Sequence, residues 1–318
     1  MLLIATAAAA LLDPNTDVTL DLPAEAGPEE PAPVVGGRDT PAAKWPGITA
    51  VFIDGDVGCT GTLVAPRVVL TAGHCAQGIK GVSFEASDID GLRAEYAVER
   101  IVAHPRWART YDVAIVILDE DVPVEPAVIA RGCALDALTA GAAVDVVGYG
   151  AVDARGRRYD DQLQAGSTLI IDPECLSEEK GCNLEVSPGG ELAAGGNGVD
   201  ACLGDSGGPI YLETSDGMLL AGVTSRGFDD ADLACSEGGI YVRADAVADW
   251  IEQEAGVELP TPTCDAAGTP DKGQFAAEVS EEVGMCSVVD ARGALGLLPL
   301  ALAIAGLRRR RSTPPAGW

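Results

Sequence analysis

The sequence predicts an all-β fold, a sandwich or a barrel, and three observations predict it. Short runs rich in Val, Ile and Leu recur along the middle of the chain, each too short for a helix and each bounded by turn residues. Turn-formers are abundant, with 39 glycines and 20 prolines among 318 residues, which leaves little room for long helices. Helical periodicity is confined to one segment near the end of this stretch. With 47% hydrophobic residues, the chain can bury a full core in one large domain or two ordinary ones.

Taken in order, residues 1–12 are apolar and small, like the hydrophobic region of a secretory signal, although no basic residues precede them. The stretch to Pro33 is rich in Asp, Glu, Pro and Ala and carries too little apolar surface to offset its ordering entropy. Residues 1–33 therefore read as a signal peptide and pro-segment. From Val34 to Gly256, strand-like runs fall at 48–53, 60–65, 67–71, 112–118, 144–150, 167–171, 218–224 and 238–243. A helix closes this region: Asp245 is its expected cap, Val247, Trp250 and Ile251 share one face, and Gly256 stops it. Residues 257–285 return to Pro, Thr, Gly and acidic residues and read as a linker. An apolar run follows from Ala294 to Leu307, then Arg308 to Arg311. As a helix that run would rise only about 21 Å, short of the roughly 30 Å hydrocarbon core of a bilayer. No internal repeat is visible.

Formal charge is −28, from 21 Lys plus Arg against 49 Asp plus Glu, so nucleic acid and anionic membrane surfaces are excluded as partners of the body. A cationic partner or substrate is favoured, although acidity also serves simply to keep an exported protein soluble. Nine cysteines point to an oxidising compartment. Zinc is disfavoured by the presence of only two histidines and by the lack of any Cys-x-x-Cys pair, and no metal or organic cofactor is expected.

Chemistry concentrates in Gly204-Asp205-Ser206-Gly207-Gly208-Pro209, where glycines let the backbone turn tightly, expose the serine hydroxyl and converge nearby amides. Alone, Gly-x-Ser-x-Gly is a weak signal, since it also matches the nucleophile elbow of α/β-hydrolases. That fold places its histidine after the serine, whereas His74 and His104 both precede Ser206. A serine needs a base, and the base needs a carboxylate to fix its tautomer. The order available here is His, Asp, Ser, not the Asp, His, Ser of subtilisin-like enzymes. His104, in Ala-His-Pro, reads as a turn or surface residue.

Thr71-Ala72-Gly73-His74-Cys75, Asp112 through Leu118, and Gly204 to Pro209 resemble, in the right order, the three active-site segments of trypsin-like serine proteases of the chymotrypsin family. Val34-Val35-Gly36-Gly37 resembles the mature N-terminus of that family, so the likeness spans about 220 residues. It implies two six-stranded antiparallel β-barrels and a C-terminal helix over residues 34–256, with the active site between the barrels. Ser206 would be the nucleophile, His74 the general base and Asp112 its orienting partner, with the Gly204 and Ser206 amides forming the oxyanion hole. Asp200, six residues before Ser206, would lie at the base of the primary specificity pocket and pair with Arg or Lys of a peptide substrate. Ser225, Gly227 and Gly239 would complete that pocket. Arg226 departs from the family, which usually has Trp between the serine and glycine, so preference further from the cut is in doubt.

Activation in the family frees an N-terminus whose ammonium pairs with the aspartate before the serine, here Val34 with Asp205. Pro33 precedes Val34, where trypsin-like zymogens carry Arg or Lys, so a separate activating protease is expected. The resemblance also implies the disulfides Cys59–Cys75 and Cys202–Cys235. Cys175 with Cys182 is a plausible local pair, and Cys133 with Cys264 a guess. Cys286, the leftover cysteine ahead of the apolar run and four arginines, resembles the C-terminal sorting tails of myxobacterial surface proteins over residues 286–318. A plain membrane anchor is the alternative. Together these features imply a secreted or cell-surface endopeptidase. A catalytically silent relative acting as a binding module is the rival, and its usual sign, a lost triad member, is missing here.

Overall fold

The computed structural model describes residues 34–186, 189–214 and 217–263. The expected signal and pro-segment, Cys264, Cys286, most of the linker and the sorting tail lie outside the described residues. A short strand β1 (Arg38–Asp39) leads into the first barrel: β2 (Ile48–Ile53), β3 (Asp56–Ala65), β4 (Val68–Thr71), β5 (Ile79–Phe84), β6 (Tyr96–Ala103) and β7 (Ala114–Leu118). These six close in the order β2-β3-β4-β7-β6-β5, antiparallel throughout.

The second barrel follows β8 (Val128–Ile129) and comprises β9 (Ala143–Gly148), β10 (Gln164–Asp172), β11 (Glu191–Ala194), β12 (Pro209–Thr214), β13 (Gly217–Gly227) and β14 (Gly239–Arg243). Its strands run β10-β11-β14-β13-β12-β9, and β9 pairs back onto β10 to close it. β1 adds to β10, and β8 lies parallel to β13. The molecule thus has the two closed six-stranded antiparallel barrels of a trypsin-like fold.

Alternation of side chains explains why so many strands read as continuous apolar runs. On β7, Val116 and Leu118 join a core made only of first-barrel residues, with Val51, Leu63, Val69 and Val82. Their neighbours Ile115 and Ile117 point the other way, into a core shared with Tyr149, Tyr211 and Val242 of the second barrel and Val247 and Ile251 of the helix. A strand buried on both faces needs apolar residues at every position. The second barrel encloses its own core of Val34, Val144, Val146, Ile170, Leu192 and Ile210.

The helix α1 (Ala244–Ala255) follows β14 without a loop. Asp245 is not its cap, contrary to the sequence expectation: the cap position is Arg243, with no side-chain cap bond, and Asp245 sits inside the first turn. Because the strand runs straight into the helix, Asp245 instead accepts from Arg243 Nε at 3.0 Å and Nη2 at 3.1 Å, its charge meeting the positive end of the helix dipole. Gly256 terminates the helix at φ +68°, donating its N–H to the Glu252 carbonyl. The chain stays on the body beyond that point, since Leu259 is buried in the shared core and Arg131 holds both Glu252 and the Leu259 carbonyl. Among the described residues no helix is long and apolar enough to cross a membrane.

Candidate active site

β4 ends at Thr71, and the chain turns through Ala72 into a short 3-10 helix, Gly73–Ala76, that carries His74. Gly73 permits a close approach there: a Cβ on it would stand 2.5 Å from Trp107 Cβ and 3.1 Å from Asp112 Oδ1. Cys75 anchors this turn to β3 through a disulfide with Cys59. Asp112, just ahead of β7, meets the turn with both oxygens: Oδ1 accepts the His74 backbone N–H at 2.9 Å and Oδ2 lies 2.8 Å from Nδ1. Ser225 Oγ donates to Oδ2 at 2.9 Å. A carboxylate facing Nδ1 keeps the proton on that nitrogen and leaves Nε2 as the acceptor.

Ser206 rides on a loop whose glycines are required by close packing. Gly204 has φ +101° and Gly207 φ +80°, and a Cβ on Gly207 would come within 2.1 Å of Thr71 Oγ1 and 2.5 Å of the Ala72 nitrogen. The loop is tied to both barrels: the Ser206 carbonyl accepts from Thr60 N, and Gly207 N–H donates to the Thr224 carbonyl, each at 2.9 Å. Cys75 Sγ stands 3.8 Å from the Ser206 carbonyl, so the disulfide beside His74 touches the serine backbone. Asp205, fully buried, accepts from Gly150 N and Cys202 N at 2.8 Å each and has no ion pair among the described residues. Burial pushes its carboxyl up to about 7, against the pull of those two amides.

Two hollows adjoin here, sharing Ser225 and Arg226. One, of about 490 Å³, is lined by His74, Asp112, Trp107, Asn183 and Leu184. The other, of about 80 Å³, is lined by Ser206, Asp200, Gly227, Gly239, Thr224 and Tyr241. Asp200 is 1% exposed; its Oδ2 accepts from Ser236 N at 3.0 Å and Gly238 N at 2.9 Å, while Oδ1 has no partner among the described residues. Thr224 Oγ1 is buried and unpartnered as well. Burial raises the Asp200 carboxyl to about 6, with the Gly238 and Ser236 amides opposing. At Gly239 a Cβ would stand 3.7 Å from Asp200 Oδ1, so a larger side chain there would cover the carboxylate.

A sequence profile of the family described as Trypsin matches residues 34–251. The chain belongs to the trypsin family of serine proteases. It is 30% identical over 236 residues to Serine protease 56 of Homo sapiens, covering 70% of this chain and 38% of that protein. Transmembrane protease serine 11C of Mus musculus is 32% identical over 237 residues, covering 70% of this chain and 54% of that protein. The chain therefore spans only about two fifths to one half of these curated relatives.

Set in this family, the predicted residues divide into those gathered here and those elsewhere. His74 and Asp112 are hydrogen-bonded and line one hollow with Ser225, while Ser206 lines the adjoining one with Asp200, Ser225, Gly227 and Gly239. Val34 is fully buried in the second-barrel core, and the Val35 carbonyl accepts from Asp200 N at 3.0 Å, so the segment expected to begin the mature chain lies against Asp200. Cys59–Cys75, Cys175–Cys182 and Cys202–Cys235 are bonded as the sequence led us to expect. Cys133 is disulfide-bonded too, while the partner suggested for it, Cys264, lies outside the described residues. His104 stays out of the cleft lining: its ring packs 4.8 Å from Tyr111 and 5.0 Å from Trp250, and burial lowers its pKa.

Sequence reasoning missed Glu191, the partner of the family departure Arg226. Arg226 Nη1 bonds Glu191 Oε1 at 2.9 Å, and Nη2 bonds Oε2 at 3.2 Å and the Gly181 carbonyl at 2.7 Å. Its Nη1 also donates to Ser225 Oγ at 3.2 Å, which continues to Asp112. Among the described residues, the one grouping of potential metal ligands is Cys59, His74 and Cys75. Both of its sulfurs are spent in one disulfide, so that set offers no thiolate to a metal.

Proposed function

We propose that the chain is an exported serine endopeptidase that cleaves peptide bonds after Arg or Lys. The observation that carries this reading is the buried, unpartnered Oδ1 of Asp200, facing a narrow pocket that also opens onto Ser206. A buried carboxylate oxygen without a donor calls for a cation, and a long basic side chain delivers one to the pocket base with its carbonyl left near Ser206.

Catalysis then follows from the three side chains around the cleft. Ser206 Oγ attacks the scissile carbonyl while its proton passes to His74 Nε2, and the new negative oxygen is stabilised by the Gly204 and Ser206 amides. Collapse breaks the C–N bond, and the departing amine takes the proton from His74. Water, deprotonated by the same nitrogen, attacks the acyl-Ser206 ester and releases the acid, returning the proton to Ser206. Asp112 holds the imidazole in orientation, with two further donors fixing its oxygens.

Activity requires a cut before Val34, made by another protease because Pro33 is a poor site for a basic-specific enzyme. The freed ammonium would answer the buried Asp205 charge and stabilise the serine loop. Disulfides support an oxidising, extracellular setting, with the C-terminal segment from Cys286 as the anchoring or sorting element. Two readings test the proposal together. An organophosphonate should label Ser206 once in enzyme whose N-terminus reads Val-Val-Gly-Gly. Equal labelling of a Ser206→Ala variant, or full activity with Pro33 retained, would refute it.

A further inference from the structure

One buried residue outside the recognised motifs grips the serine loop from the opposite barrel. Thr60, on β3 beside Cys59, has no exposed surface. Its hydroxyl donates to the Gly204 carbonyl at 3.0 Å and accepts from Tyr149 N at 3.3 Å. Its own N–H donates to the Ser206 carbonyl at 2.9 Å, and its carbonyl accepts from the Thr71 hydroxyl at 2.8 Å. The peptide joining Gly204 to Asp205 is also held at its other end, where the Asp205 N–H donates to the Cys202 carbonyl at 2.9 Å.

That anchor matters because Gly204, at φ +101° and without a side chain, is a free pivot between the anchored peptide and the Leu203–Gly204 peptide that carries its N–H. Rotation about it would swing the Gly204 N–H away from the point on which it and the Ser206 N–H converge. We propose that Thr60 is a positioning residue: by holding the Gly204 carbonyl its hydroxyl fixes the Gly204 Cα, from which the N–H of the preceding Leu203–Gly204 peptide is aimed at the oxyanion, while its own N–H holds the Ser206 carbonyl. The proposal rests on the protease reading above. A methyl in place of the hydroxyl would leave the Gly204 carbonyl without this donor and the Tyr149 amide without this acceptor, in a buried site. A shift of Gly204 toward another donor is the easiest relief, and it carries the Gly204 N–H off the oxyanion without touching Asp200.

The test compares Thr60→Val and Thr60→Ser in enzyme beginning at Val34. It reads kcat and KM on an Arg peptide, inhibition by a peptide aldehyde ending in Arg, and inhibition by benzamidine. The aldehyde forms an oxyanion on Ser206, whereas benzamidine probes only the cation pocket. Thr60→Val is expected to lower kcat and weaken the aldehyde by about 10- to 100-fold, with KM and benzamidine inhibition within about 2-fold of wild type. Thr60→Ser should keep kcat within about 3-fold of wild type, since it retains the hydroxyl. Unchanged kcat in Thr60→Val, or equal weakening of benzamidine and aldehyde, would overturn the proposal. So would a loss of about 10-fold or more in Thr60→Ser, a reading that stands even if the valine variant does not fold. Absence of turnover in the wild-type enzyme would sink the protease reading itself, whereas an active wild type with an indifferent valine variant sinks only the role of Thr60.

Discussion

Asp200 and Asp112 are both carboxylates beside one cleft, yet their surroundings prepare them for different work. Asp200 keeps one buried oxygen without a donor among the described residues, and on the proposed reading that oxygen receives a cation. Asp112 has both oxygens engaged by the His74 amide, the His74 ring and Ser225, which suits the orienting role proposed for it. Asp200→Asn should therefore cost about 3–4 kcal/mol in kcat/KM for Arg substrates, roughly 10²- to 10³-fold, mostly through the lost ion pair. Asp112→Asn should leave KM nearly alone and lower kcat by about 10⁴-fold, because an amide at that place favours the wrong imidazole tautomer. Steady-state kinetics on one Arg peptide separate the two outcomes.

Among the elements, the serine loop is the one with least tolerance. Gly207→Ala would drive a Cβ into Thr71 Oγ1 and two backbone atoms at a left-handed φ, so folding should suffer by more than the roughly 1 kcal/mol of positive φ alone. Urea unfolding measures this, and a midpoint equal to that of wild type would contradict it. The pairing of β11 with β13 residue Arg226 makes a second demand. Glu191 is fully buried on β11, so Arg226→Met should destabilise the fold by about 3 kcal/mol, toward the lower end for a broken buried pair because Arg226 is one-third exposed.

These elements also mark where the sequence could be read and where it could not. β7 and β4 announce themselves because both their faces are buried, and the glycine-flanked serine because its backbone must turn. β6 alternates partly buried and exposed positions and carries Glu99 and Arg100, so its apolar signal is diluted. β11 is hidden in Glu-Leu-Ala-Ala, where a charge at a buried position makes sense only with Arg226, 35 residues away. Nor could spacing alone locate Thr60, whose importance comes from a contact with Gly204, 144 residues later. Asp245 looked like a cap because Ser, Thr, Asn and Asp favour that place, and the absence of any loop after β14 shifted the helix start by a residue or more.

At the scale of the whole molecule, the first barrel carries His74 and Asp112, the second carries Ser206 and Asp200, and Val35 is hydrogen-bonded to Asp200. With the Pro33–Val34 bond intact, Asp205 is raised to about 7 and Asp200 to about 6 from an ordinary 3.8. Between about pH 4 and 7 the folded chain holds protons that the unfolded chain has released, so these groups make stability fall as pH rises through that window. A freed Val34 ammonium would favour the charged form of Asp205 and remove its share of the loss. In a Ser206→Ala background, enzyme cut before Val34 should melt higher than the uncut chain at pH 7, with the gap narrowing toward pH 4; a gap independent of pH would contradict this. Comparing the two forms at each pH cancels the other acidic groups, such as Asp88 and Asp153, whose lowered pKa values act in the opposite direction.

The claim on which the account turns is that the pocket beside Ser206 selects a basic side chain. Its direct test is kcat/KM for processed enzyme on peptides identical except for the residue before the scissile bond. Arg and Lys should exceed Phe and Leu by about 100-fold or more; cleavage after Phe or Leu at an equal or greater rate would contradict it.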